Sequence, residues 1–86
     1  MTLTEIGIII EDTLRIKQLD DGEYQIYFSK LEILEDGFLI ASYGHGRTKT
    51  AAKKDYAEDI AGKIIVINAR RYSRLELQLP PKITIR

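Results

Sequence analysis

The sequence contains no cysteine, which excludes a disulfide framework and any thiolate-bound metal and suits a reducing cytoplasm. It contains one histidine, His45. A metal site would therefore draw its remaining ligands from carboxylates, and a serine triad would rest on this one ring. Ser29, Ser42 and Ser73 lie in no nucleophile-elbow context, and the paired carboxylates Asp20-Asp21 and Glu35-Asp36 stand before glycines, where turn chemistry accounts for them without a metal. Neither a catalytic set, a metal nor a cofactor is expected from these residues, and the chain reads as a non-enzyme. There is no internal repeat and no low-complexity tract. No apolar run approaches a membrane span, and the first residues lack a basic segment followed by an apolar one. No membrane partner is expected, and the cytoplasm is the expected location.

What is present fits one domain, residues 1–86, large enough to fold without staples. Thirteen basic and thirteen acidic side chains cancel to zero net charge, but they are unevenly spread. Residues 1–36 hold nine carboxylates against three cations and residues 37–86 hold four against ten, so the two parts carry −6 and +6. If folding keeps them apart, one face is offered to anions and another to basic partners or to a second copy of the chain, making a homo-oligomer a candidate state.

In chain order, Thr2 and Glu5 form a capping-box pattern that opens a short helical turn, while Ile8, Ile9 and Ile10 are a β-branched run that favours extended chain. Residues 13–19 alternate apolar and polar, Asp20-Asp21-Gly22 is a turn, and Tyr24, Ile26 and Phe28 continue the alternation, giving an antiparallel hairpin. Residues 31–34 either prolong that strand past a bulge or begin the turn completed by Glu35-Asp36-Gly37. Residues 38–43 form a third strand. Thr48 is an N-cap and Gly62 a left-handed stop for the one long helix, on which Ala52, Tyr56 and Ile60 share a face that should pack on the sheet. Ile64 to Ile67 is an apolar run of the kind buried on both sides of a sheet, and Leu75, Leu77 and Leu79 alternate in a last strand ended by Pro80-Pro81. Residues 82–86 are a tail or a short edge segment. The expected fold is α+β: a three-stranded antiparallel meander, one main helix, then two further strands (β-β-β-α-β-β), with a short N-terminal helix.

Two stretches carry candidate binding chemistry. Gly44, His45, Gly46, Arg47, Thr48, Lys49, Lys53 and Lys54 place glycines and cations beside the free amides of a helix start. That pattern attracts anions and equally describes a solvated lysine-rich face. The glycines are read here as allowing a sharp turn. Arg70, Arg71, Tyr72 and Arg74 form a second basic cluster, of residue types that carry interface energy or grip phosphates.

Gly44, Gly46, Arg47, Thr48, Lys49, Ala52 and Lys53 resemble the signature joining the third strand to the second helix in double-stranded RNA-binding domains. That resemblance implies phosphate contacts at Lys49, Lys53 and Lys54. The long first helix and the Gly-Pro-x-His turn of that family have no counterpart in the chain. The strand, glycine, threonine, helix order is also similar to HicB-like antitoxins. The arrangement through residues 55–63, 66–69 and 74–80 resembles small bacteriophage proteins of Gram-positive bacteria, which implies a protein that binds and inhibits a host defence protein in the host cytoplasm. A host protein is thus the expected partner. A nucleic-acid-binding module is the alternative, and sequestration of a phosphorylated nucleotide at residues 44–48 is a third reading.

Overall fold

A computed structural model describes residues 1–85. The chain folds as helix α1 (Leu3–Ile10), strands β1 (Arg15–Gln18), β2 (Tyr24–Tyr27), β3 (Glu32–Glu35), β4 (Phe38–Ala41) and β5 (Gly44–Gly46), helix α2 (Lys49–Ile60), and strands β6 (Ile64–Ile67) and β7 (Leu75–Gln78). The class is α+β. All strand pairs are antiparallel, in a three-stranded sheet of order β1-β2-β5 and a four-stranded sheet of order β4-β3-β6-β7.

The two sheets are halves of one meander. Its middle strand is β2 continued by β3, and its third is β4 continued by β5. The register sum changes from Tyr24↔Gly46 to Glu32↔Ala41 because residues 28–31 add a turn between the two pairings, closed by the Leu31 amide donating to the Phe28 carbonyl, with Phe28 and Leu31 both buried. Extra residues of this kind act as a bulge, which bends a strand and increases its twist. The bend lets one half of the meander carry α2 while the other half gains β6 and β7. Residues 31–34 therefore prolong the strand past a bulge, the first of the two courses open in the sequence. Asp36 and Gly37 close the distal hairpin, both at positive φ (51° and 82°), the geometry that a two-residue turn between twisted strands requires.

At the N-terminus, the isoleucine run is helical rather than extended. The Thr2 hydroxyl accepts from the Glu5 amide while the Glu5 carboxylate accepts from the Thr2 amide, completing the capping box. Leu3, Ile6 and Ile10 then fall on the buried side. Tertiary burial at this spacing outweighs the modest strand preference of β-branched residues. The helix stops at Glu11, which is left-handed, and the Asp12 carboxylate accepts from Ser29 Oγ and the Lys30 amide, tying the helix end to the bulge. Near the C-terminus, Thr84 bridges Thr2 and Ile83 is buried, so residues 83–85 are docked rather than a free tail.

The core gathers Leu3, Ile6 and Ile10 from α1, Ile26 and Phe28 from the bend, Ala52, Tyr56, Ala57 and Ile60 from α2, and Ile33, Ile65 and Ile67 from the second sheet. Along β6, Ile65 and Ile67 face this core. Val66 is buried on the opposite face, between Glu32 and Glu76 in register, and Ile64 is partly exposed.

Candidate functional site

Thr48 caps α2, its hydroxyl accepting from the Ala51 amide at 3.0 Å. The glycines before it do different work from that expected. Gly44 and Gly46 are not at positive φ; they form β5, paired with Ile26 and Tyr24. A Cβ on Gly44 would lie 2.6 Å from the Tyr56 nitrogen, and one on Gly46 would lie 2.6 Å from the Ala52 nitrogen. Glycine is required there because strand and helix backbones touch, which is a packing demand and not a turn.

Around this joint, acids already meet the donors. The His45 amide donates to Asp55 Oδ2 at 2.8 Å, and the His45 ring nitrogen Nε2 lies 3.3 Å from Gln25 Nε2. Arg47 shares an open cleft with Asp21 and Glu23 of the β1–β2 turn. The helical positions divide the lysines. Lys49 reaches over the Tyr24 ring, 5.9 Å from its centre, and Lys53, one turn on, lines a groove with Leu3, Gly7 and Phe28. Lys54 sits about 100° round the helix, beside Glu58 and Lys82. The structure thus brings Lys49 and Lys53 to one flank of α2 and leaves Lys54 on another.

The second basic cluster lies elsewhere. Lys49 stands by the start of β2, whereas Arg70 and Arg71, in the loop between β6 and β7, share an open cleft of about 510 Å³ with Ser29 and Lys30, which follow the end of β2. Tyr72 at the loop's tip is fully exposed. Arg74 braces the loop, donating from Nη1 to the Ala69 carbonyl at 3.2 Å and from Nη2 to Glu76 at 2.8 Å.

That cleft also contains Glu32 and Leu39, which belong to a surface the sequence reading did not single out. In register, Leu39, Leu34 and Ile64 form an apolar row across β4, β3 and β6, on the face of the second sheet opposite the core. Leu39 and Ile64 are each 37% exposed. The signal was available: Ile33-Leu34, Leu39-Ile40 and Ile64-Ile65 are apolar at consecutive positions, so both faces of the strands had to be apolar.

Among the described residues, no three histidine or carboxylate side chains gather closely enough to hold a metal ion, and no helix is long and apolar enough to cross a membrane. Compared with models of known protein families, with curated proteins and with solved structures, the chain matches none.

Proposed function

We propose that the protein is a non-enzymatic binding module whose target is another protein, in keeping with the resemblance to bacteriophage proteins that bind host defence proteins. The observation that carries this reading is the continuity between the apolar row Leu39–Leu34–Ile64 and the Arg70-Arg71-Tyr72 loop at the shared cleft. A partly apolar centre beside an exposed tyrosine and arginines is the composition of an interface rather than of a solvated sheet face. Arg74 serves this surface by holding the loop in shape.

A second reading, nucleic-acid binding, is favoured by one feature. The chain runs α1-β1-β2-β3-β4-β5-α2, and because β3 and β4 belong to the other sheet, the Gly44 to Lys53 joint follows one eight-residue helix and the three-stranded sheet β1-β2-β5, an arrangement in keeping with the resemblance to double-stranded RNA-binding domains apart from the family's long first helix. The neighbouring elements weigh against it. Arg47 shares its cleft with Asp21 and Glu23, and the groove that Lys53 lines also contains Asp12, so a polyanion lying along these cations meets carboxylates as well. Titration of labelled duplex RNA at increasing salt separates the two readings. Only weak, steeply salt-dependent binding is expected. Submicromolar binding at physiological salt, abolished by combined Lys49→Ala, Lys53→Ala and Lys54→Ala, would replace the protein-partner reading with the nucleic-acid one.

A further inference from the structure

The free edge of the second sheet is β4. All four of its residues are exposed, Phe38 to 72%, and none is charged. Other sheet edges are blunted in the ways natural proteins use against edge-to-edge pairing: β1 carries Arg15 and Lys17, and β7 carries Glu76 and runs into Pro80. Phe38 and Glu35 flank a two-residue turn and are paired in register, so they exchange hydrogen bonds with each other, and the alternation of an antiparallel ladder points the amides and carbonyls of Leu39 and Ala41 away from β3. No loop or cap bond reaches these groups.

We infer that β4 pairs antiparallel with β4 of a second copy, making a two-fold dimer with a continuous eight-stranded sheet. One register uses every outward group. With Ile40 opposite Ile40 of the other copy, Leu39 and Ala41 form two hydrogen-bonded pairs with Ala41 and Leu39 across the axis, four backbone bonds in all, while the half-exposed isoleucines meet at the centre. Charge selects a second copy over an unrelated strand. In this register the acidic hairpin tip, Glu35 and Asp36, runs past Ala41 of the other copy toward the end of its sheet where Lys30, Arg70 and Arg71 outnumber Glu32, and the two-fold axis repeats that approach. The axis stands perpendicular to the sheet, so both outer faces and both Tyr72 loops look the same way. The dimer goes beyond the proposed function and does not depend on it, but it would give a target two attachment points.

Sedimentation of the full chain at concentrations up to about 100 μM tests this, a range that detects association of ordinary strength. The wild type is expected to be dimeric. Ile40→Lys and Ile40→Glu, which place like charges together at the axis, should each weaken the dimer by about 100-fold or more, and an equimolar mixture of the two should dimerise again. Amide hydrogen exchange on the wild type is an independent readout that survives misfolding of either variant: protection of Leu39 and Ala41 should rise with protein concentration. A wild type that stays monomeric throughout, a dimer that persists in both folded charge variants, or Leu39 and Ala41 amides whose exchange does not change with concentration would overturn the proposal. A heterologous strand bound at β4 by a monomeric wild type would overturn it as well.

Discussion

Tyr56 shows how one side chain closes the core. Its ring is fully buried on α2, and its hydroxyl accepts a hydrogen bond from the Phe28 amide at 3.1 Å, where the bulge leaves that backbone donor without a strand partner. Sequence alone places this tyrosine on the helix face that packs on the sheet, where a phenol ordinarily reaches the rim with its hydroxyl. The hydroxyl instead stays inside, because the bent strand supplies a donor that helix periodicity cannot reveal. Burial pushes the phenol up from 10.0 to about 12; the Phe28 bond opposes the rise, and the carboxylates of Asp12 and Asp59 add to it. A group whose folded pKa exceeds its unfolded one contributes fully below the unfolded value, and the contribution is lost as pH rises from about 10 to about 12. In an alkaline titration followed by phenolate absorbance, one of the five tyrosines should ionise only as the fold opens. Tyr56→Phe should lower stability at neutral pH by about 1–3 kcal/mol, the cost of an orphaned buried amide, and should lessen the alkaline loss. Five tyrosines titrating together in the folded protein would show that the hydroxyl is not enclosed.

At the scale of elements, the joint between β5 and α2 decides the packing of the main helix. The Thr48 cap, the Gly62 stop (φ 73°) and the buried face of Ala52, Tyr56 and Ile60 were all legible, since each rests on local backbone chemistry or a 3.6-residue period. The role of Gly44 and Gly46 was not, because a glycine that permits a turn and one that permits close approach look alike in sequence. The structure predicts different costs for the two kinds. Gly44→Ala should destabilise by roughly 2–4 kcal/mol, since helix and strand must part. Gly22→Ala, at positive φ with open space around the site, should cost about 1–2 kcal/mol from backbone strain alone. Equal losses in chemical denaturation would contradict the contact between β5 and α2. The helical isoleucine run of α1 was hidden for a related reason. Strand preference is a local signal, and the burial that overrides it depends on the rest of the core.

Across the whole molecule, the bulge at residues 28–31 separates two surfaces that composition had joined. Lys49 lies by the start of β2, Lys53 lines a separate groove with Leu3 and Phe28, Lys54 turns to another flank of α2, and the arginine loop borders the cleft beyond the end of β2, so the basic half of the sequence does not become one basic face. Charge counting cannot foresee this, because the bend depends on which strands pair. The arginine loop instead borders an apolar sheet face, and that juxtaposition is why a protein target is proposed. The most direct test is affinity capture from lysates of cells in which the protein occurs naturally, with three baits and nuclease treatment: the wild type, a loop variant (Arg70→Glu, Arg71→Glu, Tyr72→Ala) and a helix variant (Lys49→Ala, Lys53→Ala, Lys54→Ala). A protein partner held by the wild type and the helix variant, resistant to nuclease and lost from the loop variant, is the predicted result; nucleic acid held by the wild type and the loop variant but lost from the helix variant would contradict it.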